Sequence, residues 1–163
     1  MITKICNFLM SIIIVIMVVI AGLLFVPRIF GYETFAVISG SMEPNIPVGS
    51  IVYSKECTMD DLQVGDSITF KLSDNTIVTH RIYQIDNDGI ITTKGDANEV
   101  EDATKISIDN IIGKVGFTLP FLGYVSVYAK TPLGIAMACA VIFVILLLNF
   151  IPDIFSKENK KEN

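Results

Sequence analysis

Two serines and a single histidine are the side chains of this sequence best suited to nucleophilic chemistry. Ser39 and Ser41 lie one residue apart in the stretch SGSMEP, and His80 is the only histidine among the 163 residues. A serine hydroxyl is a poor nucleophile at neutral pH and needs a neighbouring base. Histidine, with an ordinary pKa of about 6.5, suits that role. The sequence therefore predicts Ser41 as a nucleophile and His80 as its general base.

The immediate neighbours of Ser41 support this prediction. Gly40 precedes it and can adopt the unusual backbone geometry that exposes a turn side chain. The Ser39 hydroxyl, beside the Ser41 backbone N–H, could complete an oxyanion hole, in which one donor contributes about 3 kcal/mol. The alternative is an ordinary surface serine. His80, which shares a strand face with Val78 and Ile82, has its own alternative as a packed core histidine.

A Ser–His pair also needs a third group that orients the imidazole. Asp96 in KGDAN and Asp102 in NEVED follow His80 in the sequence. Either carboxylate could reach His80 if the strand at 90–94 pairs with the strand that carries His80. Each is equally well explained as a turn aspartate that accepts backbone N–H groups. Lys71 and Lys94 are the candidate bases of a Ser–Lys dyad. With one histidine and no CxxC motif, we expect no metal and no other cofactor.

The residues that position these groups lie between 28 and 131 and alternate between short apolar strands and Gly, Asp or Asn turns. Strands are predicted at 34–38, 50–55, 67–72, 76–85, 90–94 and 108–119, with hairpin turns at 73–75 and 86–89. The apolar segment 117–128 is either a core strand that leads into the second apolar run or a segment that dips into the outer leaflet of a membrane. The pattern predicts a mostly β fold, with an antiparallel domain built as a barrel or a folded sheet.

Two uncharged apolar runs flank this domain and predict transmembrane helices at 8–27 and 132–152. Each run is nearly long enough to cross the roughly 30 Å of bilayer hydrocarbon. A buried core helix is the alternative for both runs, and a cleaved signal peptide is a further alternative for the first. The middle domain has eight Lys and Arg against fourteen Asp and Glu. This acidic balance argues against a nucleic-acid partner.

Short basic flanks set the expected orientation. Lys4 precedes the first run, and three lysines follow the second at 157, 160 and 161. Because positive charge favours the cytoplasmic side, we expect residues 1–7 and 153–163 to be cytoplasmic and residues 28–131 extracytoplasmic. Arg28 opposes this assignment. Cys57 is the only cysteine of the middle domain, so no disulfide is expected within it.

The ordered motifs SGSMEP, THRI, KGDAN and IIGKVGFTLPFLGY, set between two membrane runs, resemble signal peptidase I. They are most similar to its endoplasmic-reticulum-like branch, which is also found in archaea and some bacteria, and the resemblance covers roughly residues 35–124. It implies an antiparallel β catalytic domain of signal-peptidase type flanked by two transmembrane helices. It also implies a membrane-bound serine endopeptidase that removes signal peptides from exported preproteins.

The resemblance implies a role for each candidate residue. Ser41 matches the nucleophile of the family's serine box, and Ser39 matches the first serine of that box, which helps the oxyanion hole in the better-known bacterial branch. His80 matches the histidine that replaces the lysine base of that branch. Asp96 matches the aspartate of the G-D-x-N box, and Asp102 resembles a second aspartate a few residues later. The resemblance implies that one or both acids are needed, and the sequence does not choose between them. We lean to Asp102 as the partner of His80 and to Asp96 as a structural or supporting acid.

Three further residues complete the comparison with the family. Arg81 matches a recurrent residue beside the histidine, and its role does not follow from the sequence. Lys71 and Lys94 both lie outside the lysine box of the bacterial branch, which argues against a Ser–Lys dyad.

The resemblance implies two partners, the signal peptides of exported preproteins and the lipid bilayer. The signal peptide would bind in an extended conformation near TFAVI, with small side chains one and three residues before the cut. An association with the translocation machinery stays open, as does the identity of the preproteins. Two other functions compete with the peptidase. One is a non-enzymatic membrane-anchored β domain that binds exported proteins. The other is a transporter, against which the absence of intramembrane charge argues.

Overall fold

The computed structural model describes residues 2–129 and 131–158, which divide into two compact units. One unit contains the two long terminal helices, and the other, Pro27–Val127, is the β domain. Met1 and residues 159–163 of the expected cytoplasmic ends, including Lys160 and Lys161, lie outside the described residues.

The terminal helices are α1 (Ile2–Ile29) and α3 (Pro132–Glu158). Their segments Lys4–Ile29 and Pro132–Asn149 are long and apolar enough to cross a membrane, and almost none of their residues are buried inside the protein. A buried core helix is therefore the wrong interpretation of either run. The predicted span 8–27 lies within α1, which extends further at both ends.

Six strands form the β domain, as the alternation of the sequence predicts. They are β1 (Tyr32–Ala36), β2 (Ile51–Lys55), β3 (Ser67–Lys71), β4 (Ile77–Ile85), β5 (Ile91–Lys94) and β6 (Ile111–Leu119). All pairings are antiparallel, in the order β1-β2-β6-β3-β4-β5, so β1 and β5 are the edges of one sheet. β6 starts three residues later than predicted because Ile108–Asn110 form a 3₁₀ turn.

The segment 117–128 is a strand only as far as Leu119, where β6 ends, because Leu122–Tyr128 form a short helix, α2. Phe121 has a φ of 66°, which ends the extended backbone of β6. The helix then packs on the loop before β2, where the Gly123 N–H donates to the Gly49 carbonyl oxygen at 2.9 Å. A Cβ at Gly123 would lie 2.4 Å from the Ser50 carbonyl oxygen, so glycine is needed at this contact.

Two apolar clusters form the core on the faces of this sheet. The larger cluster contains the buried side chains Leu62, Ile68, Phe70, Ile82, Ile91 and Ile106. The smaller cluster contains Met42, Ile46 and Val52, and it fixes the turn that follows β1 to strand β2. Burial of side chains of this size contributes roughly 1.5–3 kcal/mol each. The serine-bearing turn is therefore part of the folded core and not a free loop.

Strand β6 passes unusually close to β2 at Gly113. A Cβ on Gly113 would lie 2.5 Å from the Lys55 carbonyl oxygen and 3.0 Å from the Lys55 nitrogen. The close approach also allows a hydrogen bond across β6, the strand that lies between β2 and β3. The hydroxyl of buried Ser54 on β2 lies 2.7 Å from the hydroxyl of Thr69 on β3, with Gly113 between them.

We predict that Gly113→Ala lowers the free energy of unfolding by about 1–3 kcal/mol, because backbone atoms must move to admit the methyl group. Gly40→Ala is the matched control, since its Cβ would first meet the Glu43 side chain at an ordinary 3.5 Å. The control should stay within about 0.5 kcal/mol of the unchanged protein. Urea unfolding in detergent, followed by circular dichroism, measures both. Equal stabilities for the two variants would contradict the close approach.

Candidate active site

Ser41 lies in a compact turn that two buried side chains hold in place. Met42 and Ile46 are 1% and 4% exposed, and the Ile46 N–H donates to the Met42 carbonyl oxygen at 2.8 Å. Gly40 does not use the unusual backbone geometry that glycine allows, because its φ is not positive. The Ser41 side chain is therefore positioned by the packing of the residues after it, and not by an unusual glycine conformation before it.

His80 reaches Ser41 from the middle of strand β4. It pairs with Ile68 of β3, and its ring lies edge-on to Phe70 with centroids 6.4 Å apart. His80 is 9% exposed, and its Nε2 lies 3.0 Å from Ser41 Oγ. The predicted orientation toward the apolar face is therefore observed, and the side chain both packs in the core and contacts the serine.

Asp102 contacts the other nitrogen of the same ring. Asp102 Oδ2 lies 2.6 Å from His80 Nδ1, so a proton on Nδ1 is donated to the carboxylate. The Thr93 hydroxyl donates to the same oxygen at 2.6 Å, and the Asp102 N–H donates to the Thr93 carbonyl oxygen at 2.8 Å. Buried Thr93 thus holds Asp102 at two points, the carboxylate and the backbone. No sequence signal distinguishes Thr93, because threonine is common in strands.

Asp96 contacts a different set of residues. Arg81 Nε and Nη2 donate to its two carboxylate oxygens at 2.7 and 2.6 Å, and Asn45 Nδ2 donates to Oδ2 at 2.8 Å. The Arg81 guanidinium holds the pKa of Asp96 below its usual value, and Asp96 raises the pKa of Arg81. Since Asn45 belongs to the turn after Ser41, Asp96 joins that turn to β4. This gives Arg81 a structural role.

The backbone of Ser41 is held from the other side by the KGDAN segment. The Ala97 N–H donates to the Ser41 carbonyl oxygen at 2.9 Å. A Cβ on Gly95 would lie 2.6 Å from that same oxygen, so only glycine allows the approach. The glycine of KGDAN therefore supports the position of the serine backbone directly.

The Ser39 hydroxyl lies beside the Ser41 hydroxyl, with their oxygens 3.4 Å apart. Neither candidate lysine is a hydrogen-bond partner of Ser41 in the described part of the chain. Lys94 Nζ lies over the Tyr83 ring at 5.9 Å, and Lys71 is exposed at the end of β3. Among the described residues, no group of three or more His, Cys, Asp or Glu side chains could hold a metal ion. The arrangement can perform nucleophilic chemistry with a histidine base.

Comparison with known proteins gives consistent matches. A model of the family described as "Signal peptidase, peptidase S26" matches residues 9–110. Signal peptidase I W of Bacillus subtilis (strain 168) is 44% identical over 99 residues, which cover 58% of this chain and 52% of that protein. The signal peptidase complex catalytic subunit SEC11C of Homo sapiens is 30% identical over 103 residues, which cover 56% of this chain and 54% of the relative. This chain thus spans little more than half the length of these relatives.

We predict that Asp96→Asn lowers the free energy of unfolding at pH 7 by about 1–3 kcal/mol, because it removes charge-assisted hydrogen bonds. The folded pKa of Asp96 lies below the unfolded value of about 3.9. Its stabilisation is therefore complete above that unfolded pKa and is lost as the pH falls through the folded pKa. The difference from the unchanged protein should shrink below about pH 4.

Urea titrations at several pH values measure this difference. Asp88→Asn, at an exposed position in the hairpin turn after β4, is the control and should stay within about 0.5 kcal/mol of the unchanged protein at pH 7. A gap for Asp96→Asn that stays constant down to the lowest pH would argue against an ionised Asp96 in the folded protein.

Proposed function

This chain belongs to the signal peptidase family, peptidase S26, and we propose from that premise that it is a serine endopeptidase that removes signal peptides from exported preproteins. The resemblance to the endoplasmic-reticulum-like branch is confirmed by the identity with the SEC11C relative. The observation that carries the proposal is the continuous chain of contacts from Ser41 Oγ through both nitrogens of His80 to Asp102.

In the proposed mechanism, His80 Nε2 accepts the proton of Ser41 Oγ as the oxygen attacks the carbonyl at the cleavage site. The oxyanion forms against the Ser41 backbone N–H and the Ser39 hydroxyl, 3.4 Å from the nucleophile. His80 then donates the proton to the leaving amine. Water attacks the acyl-enzyme by the reverse route, with His80 again as the base.

The two aspartates have separate proposed roles. Asp102 accepts a hydrogen bond from the Nδ1–H group, which keeps the proton on Nδ1 and leaves Nε2 free to act as a base. The carboxylate also stabilises the imidazolium that forms. Thr93 keeps the Asp102 carboxylate in place through its 2.6 Å hydrogen bond. Asp96 is a supporting acid, because its partners are Arg81 and Asn45.

Strand β1 provides the proposed binding edge for the substrate. It pairs with β2 on one side only, so its other edge can accept an extended peptide as an additional strand. Shallow apolar pockets would then select small side chains one and three residues before the cut, as the family resemblance implies.

We also propose that α1 and α3 anchor the chain in the membrane, with both ends cytoplasmic and the β domain on the extracytoplasmic face. A signal peptide is itself apolar, so tethering the site to the bilayer raises its effective concentration at the substrate. The SEC11C relative is named as the catalytic subunit of a signal peptidase complex. By analogy, an association of this chain with other subunits or with the translocation machinery is compatible with the proposal.

The central prediction concerns cleavage of a preprotein by the full chain in detergent. Ser41→Ala and His80→Ala should abolish cleavage, and Asp102→Asn should lower kcat by roughly a thousandfold or more, because the imidazole loses its orienting partner. Asp96→Asn should retain much more activity than Asp102→Asn. Asp88→Asn is the matched control and should cleave normally. Substantial cleavage by His80→Ala would point to another base, with Lys71 and Lys94 as the first candidates.

A second prediction separates Thr93 from its neighbour on the same strand. Thr93→Val keeps the shape of the side chain but removes its hydrogen bond to the Asp102 carboxylate. Because a hydrogen bond to a charged group contributes about 1.5–3 kcal/mol, kcat should fall roughly ten- to hundredfold, with KM little changed. Thr93→Ser should restore most of the rate. Thr92→Val is the control, because Thr92 is also buried but does not bond Asp102. An equal loss in both valine variants would show that Thr93 acts only through stability.

A further inference from the structure

A cavity adjoins His80 and Asp102, and Ser41 is not among the residues that line it. This cavity has a volume of about 230 Å³. Phe70, Leu72 and Val78 form its apolar wall, and His80 and Asp102 form the polar wall. Phe70 of β3 pairs directly with Val78 of β4, two residues from His80, so these side chains share one face of the sheet. The mechanism described above makes no use of the apolar wall.

The size and chemistry of this cavity fit one amino-acid side chain. Pockets for small molecules and cofactors measure roughly 300–1,000 Å³, which is larger than this cavity. Phe70, Leu72, Val78 and Ala103 supply apolar carbon to its walls, and Thr104 supplies a hydroxyl-bearing side chain. Its two ionisable groups, His80 and Asp102, are already bonded to each other at 2.6 Å. An apolar side chain would therefore bury carbon there while His80 and Asp102 keep their mutual hydrogen bond.

The position of the cavity assigns that side chain to the leaving half of the substrate. Nε2 of His80 contacts Ser41, and Nδ1 contacts Asp102, which lines the cavity together with His80. Because Nε2 must protonate the leaving amine, the leaving chain begins at His80. The acyl half has the free edge of β1, which β2 and β6 separate from the strands β3 and β4 that line the cavity.

The distance selects the residue. Two residues of extended chain cover roughly 7 Å. A similar distance separates Ser41 Oγ from the Asp102 carboxylate in the cavity wall. It consists of the 3.0 Å contact between Ser41 Oγ and His80 Nε2, the width of the imidazole ring, and the 2.6 Å contact between His80 Nδ1 and Asp102 Oδ2. We infer that the cavity lined by Phe70, Leu72 and Val78 binds the apolar side chain of the second residue after the cleavage site. This inference rests on the proposed peptidase function.

The Asp102 carboxylate adds a second kind of selectivity. An acidic side chain placed in the cavity would face a carboxylate in a partly buried site, where like charges repel and are poorly solvated. An acidic residue at this position of the substrate should therefore be rejected more strongly than glycine, which leaves the cavity empty.

The test uses peptides that span one cleavage site and differ only at the second residue after the cut, as Leu, Gly or Asp. Cleavage by the full chain in detergent is followed by mass spectrometry, which also verifies the site of the cut. We expect kcat/KM for Leu to exceed that for Gly about tenfold or more, as filling an apolar pocket does elsewhere. The Asp peptide should be the slowest of the three.

Val78→Phe fills the cavity and should bring the Leu-to-Gly ratio close to one. Ile77→Phe is the matched control, because Ile77 is the preceding residue of β4, points to the opposite face and is 48% exposed. It should keep the ratio of the unchanged protein. Leu72→Phe is a second filling variant, with thermal unfolding measured for each, so that one misfolded variant does not decide the result.

The possible outcomes separate the two proposals. If the unchanged protein cuts none of the peptides or the preprotein they derive from, the proposed peptidase function fails, and the assigned subsite fails with it. If it cuts all three at equal rates, or if the Phe variants at 77 and 78 change the ratio equally, the subsite is overturned while the peptidase function stands.

Discussion

The contact between His80 Nδ1 and Asp102 is the interaction on which the rest of the site depends. A histidine proton held on Nδ1 leaves Nε2 without a proton, and only then can Nε2 accept one from Ser41. Several features of the fold serve this 2.6 Å contact. Strand β4 presents His80 beside Phe70, and β5 returns the chain so that Thr93 binds both the backbone and the carboxylate of Asp102.

The same short loop carries a second carboxylate with a different task. Asp96 neutralises Arg81 and bonds Asn45 of the serine turn, while the neighbouring Ala97 N–H holds the Ser41 carbonyl oxygen. The first part of the loop, with Asp96 and Ala97, holds the turn that carries Ser41. The last part holds the His80 imidazole through Asp102. This division explains how a chain with one histidine and two nearby aspartates arranges three groups within hydrogen-bonding distance.

The sequence could predict the strands and the types of residue in the site, since alternating apolar positions and turn residues are local signals. It could not choose between Asp96 and Asp102, because that choice depends on the register of β4 and β5. In that register Thr93 lies opposite Ile82, on the face of His80, and Lys94 lies opposite Arg81 on the other face. By strand alternation, Asp96 follows Lys94 toward the face of Arg81.

Other features depended on tertiary packing and were missed for that reason. The helix α2 replaces an expected strand because a backbone contact at Gly123, distant in sequence, draws it onto the loop before β2. The support of the Ser41 turn comes from the burial of Met42 and Ile46 and from the close approach of Gly95, and not from Gly40. These contacts join residues that no local pattern brings together.

The most direct measurement of the central claim is the protonation of the imidazole. Because His80 is the only histidine of the chain, nitrogen-15 labelling of histidine gives NMR signals from this ring alone. At a pH where the ring is neutral, the proton should reside on Nδ1 and couple to a strongly deshielded hydrogen. Asp102→Asn should shift the equilibrium away from that tautomer, whereas Asp96→Asn should not. A proton on Nε2 in the unchanged protein, or no response to Asp102→Asn, would contradict the account.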